Sequence, residues 1–287
     1  MEAAGFSALT IPDHLVPTMS PFAGAAAALA ATDSLRAGTL VLNNDLRHPT
    51  DVAREAVSLA LLSGGRFDLG IGAGHMKAEY DAAGLHFDDG ATRVARLVAS
   101  VGVLGPLLRG EAVDVDGDHY RVRAAAGALV ATPPEPVPLL VGGNGTSVLR
   151  LAGRSADIVG FAGFSHNRDA TEVRLTHFGA DGLADRIDVV RQAAGDRFER
   201  LELNALVQAV VHTADRDRDA ARAGEKFGLS GAEVLESPFL LIGTHQQMAD
   251  ALRARHERFG VSYWTVFDAV GDRPSALGDL AAVLALL

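Results

Sequence analysis

Short apolar segments alternate with helix-like segments along almost the whole chain, and this alternation limits the architectures open to it. Ser7–Ile11 is short and apolar, and a helix over about Phe22–Ala31 follows. "LRAGTLVL" (Leu35 to Leu42) is a continuous apolar run, as expected of a strand buried on both faces. "PTDVAREAVSLALLSGG" reads as an amphipathic helix, with Pro49 near its first turn and Gly64-Gly65 at its end. The strand "RFDLGIG" and a helix over Asp89–Leu108 come next. A small hairpin is predicted around Asp116-Gly117 in "VDVDGDHYRV". Then come the strand "VPLLVGG", the helix "SVLRLAGRSA" and the strand "DIVGFAG". Phe164–Gly179 reads as polar and irregular. A helix over Asp181–Ala194 and a long strand "LELNALVQAVV" follow. Helices over Arg216–Phe227 and Gln246–Phe259, the strand "VSYWTVFD" and a terminal helix complete the pattern.

Strands alternating with helices argue for parallel βαβ units. The seven strands fit a doubly wound sheet, or a TIM-type (β/α)8 barrel whose first strand would precede Ser7. Met1–Gly5 reads as the tail of a helix stopped by Gly5. The barrel reading therefore expects the first strand and most of the first helix to be missing from the sequence. It treats residues 1–287 as one barrel domain with insertions near 110–136 and 164–179.

The 48% hydrophobic and 22% charged content allows a full core without staples. Cysteine is absent, which rules out disulfides and thiolate chemistry. A net charge of −10 without basic clusters argues against nucleic acid or an anionic membrane as partner. The Ala-rich stretch Pro21–Thr32 is shorter than the roughly 20 residues that span a bilayer. No signal-peptide pattern is evident, so a cytoplasmic protein with a small-molecule substrate is expected.

In a barrel the chemistry sits at the C-terminal ends of the strands. The first strand ends in Asp13-His14, an acid beside an imidazole able to exchange a proton near neutrality. A cap or a loop salt bridge accounts for the pair equally well. The second ends in Asn43, Asn44 and Asp45, which fit either ligand-facing amides or an Asx turn. The third ends "LGIGAGH", where Gly70, Gly72 and Gly74 leave room for a ligand to approach the main chain and His75 adds a second imidazole. This run is not the dinucleotide fingerprint, since its third glycine is misplaced and no acid follows about 20 residues on. The fourth ends "VGGNGTS", where Gly142, Gly143, Asn144 and Gly145 lead into a helix start that suits a phosphate, or is simply capped. The ten histidines show no HxxxH or HxH spacing with a carboxylate, so no metal site is expected.

As a set, "SALTIPDHL", "GTLVLNNDLRHP", "LLSGGRFDLGIGAGH" and "PLLVGGNGTSVLRLAGRSADIVGF" resemble the luciferase-like monooxygenase superfamily. The likeness is greatest to its oxidoreductases that use the deazaflavin coenzyme F-420. It covers nearly the whole chain, and Gly38 through Gly74 is its most specific part. The resemblance implies a (β/α)8 barrel, usually dimeric, with the cofactor at the C-terminal mouth. It implies a non-proline cis peptide between Leu40 and Val41 that backs the ring. It implies tail or phosphate contacts from Gly72, Gly74, Gly142, Gly143 and Asn144, and a proton-handling role for His14, with Asp13 as its orienter. His75 stands where some members carry a carboxylate, so its role is a second acid/base or cavity lining. Phe161, Phe164 and His166 are expected at the mouth. Two alternatives stay open: an FMN-dependent monooxygenase, for which Arg150 and Arg154 would offer phosphate contacts, and a non-catalytic homologue.

Overall fold

A computed structural model describes residues 1–167, 172–268 and 275–287. Its centre is a nearly closed parallel barrel. β1 (Ala8–Ile11) pairs with β2 (Arg36–Thr39), which pairs with β4 (Phe67–Gly72). β3 (Leu42–Asn43) continues the line of β2 and also pairs with β4. The path then runs through β7 (Leu139–Gly142), β8 (Ile158–Phe161), β11 (Glu202–Val207) and β14 (Val261–Val266), every pairing parallel. The path ends at β1 and β14, and among the described residues no strand bridges these two edges. All six residues of β4 are buried, as expected where helices cover one face and the barrel interior the other.

Local chemistry sets the helices. α1 (Pro21–Ala30) and α2 (Pro49–Ser63) both start on proline, whose fixed φ suits the first turn. In α2 the His48 side chain accepts from the Thr50 N–H, and Gly64 ends the helix at φ 68°. Its apolar stripe, including Val52, Ala56 and Leu59, is buried against β4 and α4. After the short α3 (Lys77–Ala83) comes α4 (Gly90–Leu108), capped by Asp89. α4 is long and apolar enough to cross a membrane by length and composition alone. Leu97, Val101, Leu104 and Leu108 are nevertheless buried, and it packs on α2 and α5, which makes it a core helix. β5 (Val113–Asp116) and β6 (Arg121–Ala124) form the predicted hairpin. α5 (Thr146–Ser155) packs on α6 (Ala180–Ala194).

The structure departs from the sequence reading in four places. The run Leu35–Leu42 is not one strand, because the cis peptide Leu40–Val41 divides β2 from β3. Phe164–Gly179 is more ordered than its polarity suggests: β9 (Phe164–His166) and β10 (Val173–Leu175) form an antiparallel ribbon, and 168–171 lie outside the described residues. "LELNALVQAVV" breaks at Gln208, whose backbone N–H donates to Phe239 O at 2.8 Å. β12 (Ala209–His212) thereby leaves the barrel and pairs with β13 (Leu240–Gly243), a strand the sequence reading passed over. Between them lie α7 (Arg216–Phe227) and the equally unanticipated α8 (Gly231–Glu236), held by a Ser230–Glu233 capping box. The chain opens on a 3-10 turn, Glu2–Ala4, stopped by Gly5 at φ 86°, rather than on an α-helical tail. α9 (His245–Phe259) and α10 (Leu277–Leu284) close the order of elements.

Candidate active site

One cavity of about 300 Å³ opens at the C-terminal ends of the barrel strands. It is framed by the ends of β1, β3, β4, β7 and β8, with Leu206 and Phe267 behind them. Twelve of the residues singled out by sequence line it: Asp13, His14, Leu40, Val41, Asn43, Gly72, Gly74, His75, Gly142, Gly143, Asn144 and Gly145. Asn44 does not line it; it is buried in the one-turn helix Asn44–Leu46 beside the cavity. Phe161 and Phe164 are part of the wall, and the His166 side chain is outside the described structure.

The floor is built around Val41. A Cβ on Gly72 would lie 2.8 Å from Val41 Cγ2, and one on Gly142 3.0 Å from Val41 Cγ1. A Cβ on Gly70 would collide with the Thr39 carbonyl oxygen, and one on Gly74 with Asn43 Oδ1 and the Tyr80 hydroxyl. The room left by these glycines is therefore filled by the protein's own cis segment and its neighbours, not by a ligand approaching the strand. Gly143 is occupied in the same way by Val148, and only Gly145 opens onto space. Thr39 fixes the segment from below: its Oγ1 donates to Gly70 O at 2.7 Å and accepts from the Gly70 N–H at 2.9 Å.

Asp13 holds this segment from the side and does not orient His14. Its Oδ2 accepts from the Asn43 N–H at 3.0 Å, and Arg47 donates to both carboxylate oxygens, at 2.5 and 3.0 Å. Both oxygens are thus committed away from the neighbouring imidazole, as diverging side chains at consecutive positions require. Asn43 forms the Asx turn: its Oδ1 accepts from the Asp45 N–H at 3.1 Å and lies 2.9 Å from the Tyr80 hydroxyl. Burial, with Asp45 adding to it, pushes the Tyr80 phenol well above its ordinary range. Tyr80 is therefore a neutral hydrogen-bonding strut.

Glu79 is the residue that engages His14. Its Oε1 lies 2.8 Å from His14 Nδ1, and its Oε2 accepts from the Leu15 N–H at 3.1 Å. Glu79 is 5% exposed and reaches the site from α3, which the Gly74–Met76 turn sets over the mouth. A carboxylate at Nδ1 selects the Nδ1–H tautomer, which leaves proton exchange to Nε2. His75 stands edge-on to His14, with ring centroids 5.7 Å apart. No spacing rule could have found Glu79, although its place in "HMKAEY" put it one turn beyond His75.

The fourth strand end forms an anion cradle. α5 starts at Gly145 with no side-chain cap, so the N–H groups of its first turn face outward. Arg186 of α6 donates through Nη1 to Thr146 Oγ1 at 3.0 Å, and its buried Nε has no partner among the described residues. Arg150 and Arg154 lie further along α5, with Arg154 in its last turn. The Asn144 amide donates to Thr176 O and Oγ1 at 2.8 and 2.7 Å, tying the loop to the segment after β10. Across the cavity, Asn204 donates to Tyr263 O and Thr265 Oγ1, while its buried Oδ1 is unpaired among the described residues. An unpaired buried acceptor in a cavity wall calls for a ligand donor.

A model of the luciferase-like monooxygenase family matches residues 1–262. The chain belongs to this family. It is 39% identical over 166 residues to the F-420-dependent glucose-6-phosphate dehydrogenase of Beutenbergia cavernae, a match spanning 54% of the chain and 48% of the relative. It is 32% identical over 236 residues to the enzyme of the same name from Nakamurella multipartita, spanning 79% of the chain and 65% of the relative. These matches cover roughly half to two thirds of the length of those relatives. A solved F-420-dependent secondary alcohol dehydrogenase, in complex with an F-420–acetone adduct, superimposes with a TM-score of 0.71 at 20% identity. That superposition covers 98% of the chain and 92% of the dehydrogenase, and it speaks for the fold. In this luciferase-like chain the strand-end imidazole answers to Glu79, and the acid beside it in sequence serves the backbone.

Proposed function

We propose that the protein is a cytoplasmic oxidoreductase that binds coenzyme F-420 and moves a hydride between it and a small organic substrate. The observation that carries the reading is the His14–Glu79 pair at the rim of a cavity whose floor is the Leu40–Val41 cis segment. The names of the curated relatives support F-420 as the cofactor. When bound, the deazaflavin supplies the carbon that accepts or donates the hydride. The protein supplies everything else. Val41 and Asn204 would hold the ring from the cavity wall, and the α5 N-terminus, with Arg186 beside it at Thr146, would take the anionic tail. His14, held by Glu79, takes or returns the proton that accompanies the hydride. Phe161, Phe164 and Phe267 line the cavity with apolar surface that excludes water.

Fluorescence titration of the purified chain with F-420, and in parallel with FMN, tests the reading. Saturable binding of F-420 in preference to FMN is the expected result. FMN preference would move the protein to the monooxygenase branch, and binding of neither would overturn the F-420 reading for this chain. Glucose 6-phosphate is the first substrate to assay, since the two relatives carry that name. A homodimer is proposed with this function. α2 presents Leu61 and Leu62 to solvent, Leu62 85% exposed, next to its buried stripe. Sedimentation as a monomer at micromolar concentration would overturn the dimer.

A further inference from the structure

Away from the cavity, three residues distant in sequence bring ligand atoms together. His212 is the last residue of β12, His245 the first of α9, and Asp279 lies in the first turn of α10. The parallel ladder between β12 and β13 places His212 opposite Gly243, so His245, two residues on, comes to the same end of the ribbon. The two imidazoles stack with centroids 4.0 Å apart and planes 15° from parallel. Both turn a ring nitrogen to one carboxylate oxygen: His245 Nε2 lies 2.8 Å and His212 Nδ1 3.3 Å from Asp279 Oδ1. The three ligand atoms all lie within 4.8 Å of one another. None of the three residues lines the cavity at the barrel mouth.

We propose that His212, His245 and Asp279 form a binding site for a divalent late transition-metal ion, with zinc the fitting case. Two imidazoles and one carboxylate are a borderline-soft nitrogen and oxygen set, which such ions favour over calcium or magnesium. Tetrahedral zinc held at about 2.0–2.1 Å sets its ligand atoms about 3.3 Å apart, close to the 2.8 and 3.3 Å that separate the two imidazole nitrogens from Asp279 Oδ1. Side chains that are 31–44% exposed have the freedom to make the remaining adjustment. The fourth position faces solvent and takes water. The site joins β12, α9 and α10, so its occupancy fastens the C-terminal helix to the ribbon that leaves the barrel at Gln208. Local spacing hides the cluster, because its members are 33 and 34 residues apart in the chain.

The test uses the untagged full chain, stripped with a chelator and titrated with zinc chloride by calorimetry. One equivalent is expected to bind in the micromolar range and to raise the melting temperature. His245→Ala and Asp279→Asn, both at partly exposed positions, are each expected to weaken binding at least about tenfold, since each removes one of three ligands. They are also expected to abolish the thermal shift. His119→Ala, an exposed histidine in the β5–β6 hairpin, serves as the control and should change neither. Absence of saturable binding up to millimolar zinc would overturn the proposal. So would affinity that both ligand variants leave intact, which would place the ion elsewhere.

Discussion

Replacing Glu79 by glutamine separates proton handling from shape. In the native site one carboxylate oxygen accepts from the Leu15 N–H at 3.1 Å and the other faces His14 Nδ1 at 2.8 Å. Glutamine keeps the volume but has one carbonyl oxygen and one NH2. The Leu15 N–H can only donate, so the carbonyl oxygen goes there and the NH2 turns to the imidazole. Nδ1 must then accept, and the ring proton moves to Nε2, the nitrogen assigned to exchange with substrate. The base is lost while the side chain stays in place. A positioned general acid/base is worth about 10²–10⁴ in rate, or about 3–5 kcal/mol of barrier, and most of that loss is expected in kcat. F-420 affinity should hold within about threefold, a shift of under 1 kcal/mol, because Glu79 is not part of the anion cradle. Two assays check this: turnover followed through the deazaflavin absorbance, and the His14 tautomer read from imidazole nitrogen shifts by NMR. An Nδ1–H tautomer in the native chain and an Nε2–H tautomer in the variant are expected. A variant that turns over at the native rate, or a native His14 already protonated at Nε2, would refute the reasoning.

Other perturbations probe the supports of the site. Arg47→Ala strands the buried Asp13 carboxylate beside the Asn43 N–H. Urea denaturation should show a loss of about 3–5 kcal/mol, and a loss under about 1 kcal/mol would contradict the assigned ion pair. Gly72→Ala places a methyl 2.8 Å from Val41 Cγ2, so the cis segment must shift. A stability loss of about 1–3 kcal/mol is expected, with weaker F-420 binding in the fluorescence titration; unchanged binding would remove Val41 as the backing of the ring. Glu2 accepts from the N–H groups of Ser34 and Leu35 and the Ser34 hydroxyl, which hold its carboxyl down at about 2. A depressed acid stabilises the fold above its unfolded value and loses that contribution as pH falls through the folded one. Glu2→Ala should therefore lower the melting temperature at neutral pH, and the gap should narrow as pH falls from 4.5 towards 2. A gap independent of pH would contradict the assignment.

The barrel strands were legible because parallel strands covered on both faces must be apolar throughout, and β4 with six buried residues is the plainest case. The same rule misled at "LELNALVQAVV". Its apolarity is continuous, but β11 and β12 satisfy it in two different sheets, and the break at Gln208 depends on a carbonyl 31 residues away. β13 escaped because the five residues between Pro238 and the helix cap Thr244 are too few to show a period. The ribbon β9–β10 escaped because β10 is mostly exposed, so its sequence keeps the polarity of a loop. The cis peptide at Leu40–Val41 has no signature in periodicity at all; it came from the resemblance, and the structure carries it.

Residue types at the strand ends were legible, and their partners were not. The glycines of "LGIGAGH" were read as leaving room for a ligand, yet what claims the room is Val41, Thr39 and Asn43, from the strand next door. Asp13 is adjacent to His14 in sequence, and the resemblance made it the expected orienter of that imidazole. Strand geometry turns consecutive side chains apart, so each must find its partner elsewhere: Asp13 at Arg47, 34 residues on, and His14 at Glu79, 65 residues on. The outcome has a chemical logic. Asp13 has both oxygens turned to Arg47 and the Asn43 N–H and so away from the imidazole, whereas Glu79 faces the imidazole with one whole oxygen. The proton therefore answers to a helix that the Gly74 turn swings across the mouth. Glu79, carried on α3, thus sets the protonation geometry of His14.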